Sequence, residues 1–160
     1  MKDIIGFPNY TINEKGEIYS KKRKIFMKQQ FGNGYFRIGL TNNKIKTFLL
    51  IHRLVYQMFK LKIGESMPNE IDHINGIKTD NSLNNLRSAT SSQNQWNKGK
   101  KITNTSGHKN IHILPSGNFQ VDICRGNGLK YSKNFKILEE AIIHRNIKLK
   151  EFHGEFANTG

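Results

Sequence analysis

The chain contains one cysteine, Cys124, so it can form no intrachain disulfide and no cysteine-built zinc site. Cys124 reads as a small residue buried in a strand. Acidic residues are also scarce, 12 Asp and Glu against 26 Lys and Arg, which leaves a formal charge of +14 and a pI near 10.0. That balance speaks against an acid-loving or neutral partner and for a polyanion. No apolar run approaches a membrane span, and residues 1 to 16 lack the apolar core of a secretory signal. These absences predict a soluble, cytoplasmic protein with no membrane partner. Nucleic acid outranks a membrane surface because aromatics and Asn, Gln and Ser are interleaved with the basic residues, and no basic amphipathic anchor is visible. A solvated basic surface is the bland alternative.

The 160 residues read as small modules, in an α+β arrangement, better than as one large core. Residues 3 to about 50 alternate short strand-like runs with turn signals at Asn13-Glu14-Lys15-Gly16, Gly32-Asn33-Gly34 and Thr41-Asn42-Asn43. They predict one small antiparallel sheet, with Tyr10, Ile12, Ile18, Tyr35, Phe36, Ile38, Leu40 and Phe48 to Ile51 supplying the core. His52 to Lys60 places Leu54, Val55, Met58 and Phe59 on one helical face. Two brief strands, Glu70 to His73 and Leu86 to Ala89, flank an Asn- and Gly-rich loop. Thr90-Ser91-Ser92-Gln93 is a capping box that opens a helix where Asn94 sits. Residues 98 to 106 are polar and basic and read as a flexible linker. Beyond them, His108 to Leu114, Asn118 to Arg125 and Leu129 to Phe135 are strands joined by turns at Pro115-Ser116-Gly117 and Gly126-Asn127-Gly128. Leu138 to Glu151 is a helix with acids in its first turn and lysines in its last.

Chemistry concentrates at Asp72 and His73, with Asn85 and Asn94 downstream. A carboxylate and a carboxamide oxygen can hold a hard divalent ion, while an imidazole beside them can take a proton from water near neutral pH. An isolated Asp-His pair would be weak evidence, since such pairs are common in loops. Asn75, Asp80, Asn81 and Asn84 read as turn residues whose side chains bond the backbone. His52, at a helix start, is balanced between a phosphate contact and a structural hydrogen bond and is left outside the catalytic set. His108 and His112 have no carboxylate partner near in sequence, so a metal site there is improbable. Trp96 lies on a different helical face from Asn94 and is expected to pack beneath the motif.

The stretch Ile71-Asp72-His73-Ile74-Asn75-Gly76-Ile77-Lys78-Thr79-Asp80-Asn81, then Leu83-Asn84-Asn85-Leu86-Arg87, Thr90 and Asn94, resembles the HNH endonucleases found as phage and intron-encoded homing enzymes. With His52-Arg53-Leu54-Val55 and Phe59 ahead of it, the resemblance covers roughly residues 50 to 97. It implies a ββα-metal nuclease motif at 51–97 in which His73 is the general base, Asp72 and Asn94 hold one Mg2+ or Mn2+ ion, and Asn85 fixes the long loop. Asn94 stands where the family name has a third histidine. Since the ligands are then all oxygen, magnesium or manganese is expected rather than zinc. The implied reaction is hydrolysis of double-stranded DNA to 5′-phosphate and 3′-hydroxyl ends, by a monomer with no protein partner evident, which would nick one strand.

Two further segments carry resemblances. Ile4-Ile5-Gly6-Phe7, Tyr10-Thr11-Ile12-Asn13 and Gly16-Glu17-Ile18-Tyr19-Ser20 are similar to the nuclease-associated modular domain, implying such a domain over 1–50. Gly107 to Ile111, Gly117 to Val121, Phe135 and Glu139-Glu140-Ala141 resemble the apetala or ethylene-response-factor DNA-binding domain over 107–160, with 98–106 as linker; Phe119 stands where that family usually has tryptophan. The DNA contacts expected are Arg53 and Arg87 near the scissile bond and Lys98, Lys100 and Lys101 in the linker. A polar sheet face bearing Lys109, Gln120, Arg125, Lys130 and Lys133 is expected to enter a groove. The rivals are a non-catalytic DNA-binding regulator and a basic RNA-binding protein; neither accounts for the Asp72, His73 and Asn94 spacing.

Overall fold

Turn residues divide the N-terminal half into hairpins. The computed structural model describes residues 1–126 and 128–160; Asn127, placed by the sequence in a tight turn, lies outside the described residues. Strands β1 (Lys2–Ile4), β2 (Phe7–Ile12), β3 (Ile18–Ser20) and β4 (Ile25–Phe26) form one antiparallel sheet in that order. Asn13 closes the second hairpin by accepting from the backbone N–H groups of Lys15 (3.1 Å) and Glu17 (2.9 Å), and Gly16 takes the left-handed φ of +83°. Strands β5 (Gln30–Gly32), β6 (Tyr35–Asn42) and β7 (Ile45–Leu50) form a second antiparallel sheet. Its β6–β7 hairpin turns through Asn43 and Lys44, both at positive φ, as a two-residue hairpin with native twist requires.

The single sheet expected over residues 3 to 50 is therefore two. Between them the chain leaves the ladder at Lys28 and Gln29, where the Gln29 amide donates to the carbonyl of Gly16 at 2.9 Å. Helix α1 (Ile51–Phe59) follows β7 directly and buries Ile51, Leu54 and Val55 against Ile12, Ile18, Ile38 and Leu40. Phe48, expected in this core, is 50% exposed, because the β6–β7 register pairs it with Gly39 on the face opposite Ile38 and Leu40.

Strands β8 (Glu70–His73) and β9 (Leu86–Ala89) pair antiparallel, with residues 74–85 as the loop between them, and both add to the same core through Ile71 and Leu86. Helix α2 (Ser91–Asn97) starts at a reciprocal capping box: Thr90 accepts from the Gln93 N–H and Gln93 accepts from the Thr90 N–H. The chain divides into two compact units, Met1–Ala89 and Thr90–Gly160, so α2 groups with the C-terminal residues.

In that second unit, β10 (Ile111–Ile113), β11 (Phe119–Gly126) and β12 (Leu129–Phe135) form an antiparallel sheet in sequence order. Helix α3 (Leu138–His153) lays Ala141 and Leu149 on Ile111, Val121 and Ile123. Strand β10 is shorter than the sequence suggests, because the residues before it are drawn into a side-chain network. Ser106 donates to the carbonyl of Ile111 (2.7 Å) and the Asn104 amide donates to that of His108 (2.9 Å). The 98–106 segment thus ends in bonded structure rather than free linker. Cys124 is exposed, not buried: alternation from Val121 and Ile123 sends it to the open face. Among the described residues no helix is long and apolar enough to cross a membrane.

Candidate active site

Asp72 and Arg87 lie directly opposite each other in the β8–β9 ladder. Their contact follows from that register: Arg87 places Nε 2.9 Å and Nη2 2.8 Å from Asp72 Oδ2. Both side chains are enclosed, at 11% and 5% exposure, so the ion pair works at low dielectric and holds the carboxylate in place. Arg87, expected among the phosphate contacts, is committed instead to Asp72.

Alternation along β8 turns His73 the other way, toward α1. Its ring, 5% exposed, meets His52 of α1 at a centroid distance of 5.2 Å and Tyr35 of β6 at 6.1 Å, and Tyr35 and His52 meet at 5.1 Å. His73 Nε2 lies 3.3 Å from Asn81 Oδ1, and the Asn81 amide in turn donates to the carbonyl of Thr79 at 3.4 Å. An acceptor facing Nε2 puts the proton there and the basic lone pair on Nδ1. Burial lowers the His73 pKa from 6.5, against the opposing pull of the Asn81 hydrogen bond and the Asp72 charge. His52 is lowered further, to about 4, first by burial and then by the charges of His73 and Arg53. Both imidazoles are therefore neutral at physiological pH.

The loop is tied from within. Asn85 Oδ1 accepts from the Asn75 backbone N–H (2.9 Å), and its amide donates to the carbonyl of Asp80 (2.8 Å). Asp80 accepts from the Ser82 hydroxyl (2.6 Å) and the Asn75 amide (2.9 Å), and the Ser82 bonds hold its carboxyl below the usual carboxylate pKa. Sequence reasoning treated Asn81 as one more turn residue and left His52 out. Nothing local separates Asn81 from Asp80 or Asn84, and the His52 to His73 contact spans 21 positions that only the fold closes.

The remaining candidates are scattered. Asn94 lies on α2, in the Thr90–Gly160 unit. Arg53 donates to the carbonyls of Pro68 and Asn69 at 3.3 Å, bracing the loop before β8. Lys98, Lys100 and Lys101 are exposed and line a cleft of about 590 Å3 with Asn104, Lys109 and His112. Lys109 is in a turn rather than on the sheet. Its amine donates to the carbonyl of Trp96, and burial, with the Arg145 charge, lowers its pKa to about 8. Trp96, expected to pack beneath the motif, stacks on His153 at 4.3 Å with an interplanar angle of 5°, within the C-terminal unit.

Gln120 and Lys130 lie on the open face of the C-terminal sheet, Lys130 opposite Cys124 and Gln120 opposite His112. Arg125 and Lys133 do not share it. Lys133 pairs with buried Val121, and the Arg125 guanidinium lies 4.4 Å from the ring centroid of Phe152 on α3. Polarity suggested one face where the register makes two.

Among the described residues no three His, Cys, Asp or Glu side chains cluster into a cation cage. The donor that the motif encloses is the Asp72 carboxylate. A hard oxygen donor fits an ion that keeps water and substrate oxygens in its shell, and not a closed zinc site.

This ladder, loop and following helix define an HNH nuclease motif, and the model of the HNH endonuclease family matches residues 49–96. The chain belongs to the HNH endonuclease family. It is 38% identical over 162 residues to the DNA endonuclease I-HmuI of Bacillus phage SP01, covering 89% of this chain and 91% of that one. It is 36% identical over 86 residues to the uncharacterized HNH endonuclease L247 of Acanthamoeba polyphaga mimivirus, and 32% identical over 110 residues to L560 of the same virus. The chain spans 21% and 54% of the lengths of those two viral relatives. A solved structure describing DNA binding and cleavage by the HNH homing endonuclease I-HmuI superposes with a TM-score of 0.52 at 25% identity, over 95% of this chain and 90% of that one.

Proposed function

We propose that this protein is a metal-dependent, homing-type DNA endonuclease that hydrolyses phosphodiester bonds in double-stranded DNA. The observation that carries the reading is His73: a neutral, enclosed imidazole whose Nε2 faces Asn81, with an ion-paired carboxylate, Asp72, next to it in the chain. His73 Nδ1 takes a proton from water as that water attacks phosphorus. Asn81 holds the opposite edge of the ring, so the proton cannot be accepted on the wrong nitrogen. Asn85 ties the loop across its width, and with it the position of Asn81. Arg87 fixes Asp72. Asp72 and Asn94 would hold one Mg2+ or Mn2+ ion, whose chemistry there is to neutralise charge growing on the scissile phosphate and the departing 3′ oxygen. The products are then a 5′-phosphate and a 3′-hydroxyl.

Segments 1–50 and 107–160 flank the nuclease segment 51–97 and, on this reading, supply affinity and site choice, as their similarity to a nuclease-associated modular domain and an apetala-like domain implies. The open face with Gln120 and Lys130 is the part of the C-terminal sheet suited to DNA. The segment bearing Lys98, Lys100 and Lys101 adds phosphate contacts. The test is cleavage of supercoiled plasmid carrying flanking DNA from the gene's own locus, with Mg2+ or Mn2+, by wild type and His73→Ala. Metal-dependent nicking lost in the variant supports the reading. Salt-sensitive binding by both proteins with cleavage by neither replaces it with a non-catalytic DNA-binding regulator.

A further inference from the structure

His52 is 6% exposed, yet Nδ1 is enclosed with no hydrogen-bond partner among the described residues. An orphaned buried nitrogen is destabilising, and a phenylalanine of similar shape would avoid that cost. The position is also unusual electrostatically. His52 is the second residue of α1, a nine-residue helix whose N-cap, Leu50, offers no side-chain cap and whose first turn holds no acid. The positive end of the helix dipole is left without a side-chain counter-charge at the ring that packs on His73. Lys78 adds a cation 4.8 Å from the centroid of Tyr35, the third ring of the cluster. A helix start and a lysine thus supply positive potential around the ring that packs on the general base, a setting that favours an anion.

We propose that His52 is a substrate-touching member of the catalytic centre, donating a hydrogen bond from Nε2–H to a non-bridging oxygen of the scissile phosphate while His73 handles the water. The inference rests on the endonuclease reading and deepens it. Leaving an N–H unbonded in the interior is costly, so the enclosed Nδ1 carries the lone pair and the proton sits on Nε2, the nitrogen left to meet an incoming group. The ring stays neutral because it is buried beside His73. Neutrality matters, since a second imidazolium 5.2 Å away would oppose the proton that His73 must accept. A neutral donor at a helix start instead strengthens its bond as charge accumulates on the phosphate oxygens, which accelerates the chemical step rather than binding.

The experiment is single-turnover nicking of the same supercoiled plasmid in Mg2+ by full-length wild type, His52→Phe, His52→Gln and His73→Ala, with DNA affinity and melting temperature measured on each. Phenylalanine keeps the ring and removes both nitrogens, whereas glutamine can return an amide donor near the place of Nε2. The expected result is a rate loss of about a hundredfold in His52→Phe, substantial recovery in His52→Gln, affinity within about twofold throughout, and a melting temperature in His52→Phe no lower than wild type. Wild-type nicking abolished in His73→Ala but undiminished in His52→Phe overturns this inference and leaves the endonuclease reading standing. A wild type that never nicks overturns the reading itself, and the role of His52 with it. If His52→Phe does not fold, nuclear magnetic resonance of 15N-histidine-labelled wild type decides, read before and after adding duplex DNA of the nicked sequence in EDTA. A hydrogen-bonded Nε2–H appearing at His52 supports the donor role; an unchanged ring overturns it.

Discussion

Removing Arg87 tests whether Asp72 depends on an internal counter-charge. In Arg87→Ala the Asp72 carboxylate, 4% exposed and in a ladder whose register is fixed, loses the Nε and Nη2 contacts at 2.9 and 2.8 Å. Breaking one partner out of a buried pair costs about 3–5 kcal/mol, because the survivor is left charged in a poor solvent. For a chain of this size that is a fall in melting temperature of about 6–20 °C. Circular dichroism melts in EDTA read the loss directly. Repeating them with Mg2+ asks a second question, since a divalent ion held by Asp72 replaces part of the missing charge and should return part of the stability. The double variant Asp72→Asn with Arg87→Met removes both charges and should lie closer to wild type than Arg87→Ala does. An Arg87→Ala melt within about 2 °C of wild type in EDTA would falsify the claim that the pair holds Asp72. A large loss that Mg2+ leaves untouched would count against Asp72 as the ion's ligand.

Four other outcomes follow from the structure. Asn81→Leu removes the acceptor facing His73 Nε2, so nicking should fall about a hundredfold or more with DNA retention unchanged; a rate equal to wild type would show that the tautomer is set elsewhere. Because His73 acts through its lone pair and burial holds its pKa below 6.5, kcat/KM for nicking should rise with pH through a midpoint below 6.5 and level off above it, and a midpoint above that value contradicts the assignment. Stability carries the same sign at His52. Its folded pKa is lowered to about 4, so the unfolded chain binds the extra proton between 4 and 6.5, and stability should decline as pH falls through that window, less so in His52→Phe. Gly16→Ala should destabilise by about 1–3 kcal/mol in urea denaturation, since φ is +83° and the added Cβ would sit 2.6 Å from Ile51 Cγ2; a neutral variant would mean that the Asn13 turn relaxes freely.

What could be read from the sequence was what is decided locally. The β8 and β9 spans and the Thr90 and Gln93 capping box were legible because alternation and capping are set within four to eight residues. The fold class followed, as did the C-terminal helix. The errors have one physical origin, the use of polarity where geometry decides. Arg125 and Lys133 look like partners of Gln120 and Lys130 by charge, yet a period of two separates them, and the aromatic ring of Phe152 holds the Arg125 guanidinium on the helix side. Cys124 looks buried by type and is exposed by phase. The division of the N-terminal strands into two sheets turns on where Lys28 and Gln29 leave the ladder, for which neither residue carries a signal. At the site, Tyr35, His52 and His73 come from three separated segments, and only the tertiary packing of β6, α1 and β8 makes them one cluster.

The same distinction bears on the chain's charge. A formal +14 counts cations without saying which are available to a polyanion. Arg87 is held by Asp72, Arg53 by two loop carbonyls, Lys109 by Trp96, Lys60 by the carbonyl of Leu86, and Arg145, 2% exposed, by the carbonyl of Thr159. Each head group so placed serves as internal scaffolding, closing backbone acceptors or fixing a carboxylate, and contributes little to the counterion release that governs DNA affinity. Lys98, Lys101 and Lys130 are exposed. On the proposed endonuclease reading, the tied cations beside Asp72 and His73 organise the site and the exposed lysines carry the salt-dependent binding. The expected outcome is that substitution of Lys98, Lys101 and Lys130 weakens DNA affinity without slowing single-turnover nicking, and that Arg87→Ala does the reverse; a matching loss of both in either variant refutes the division.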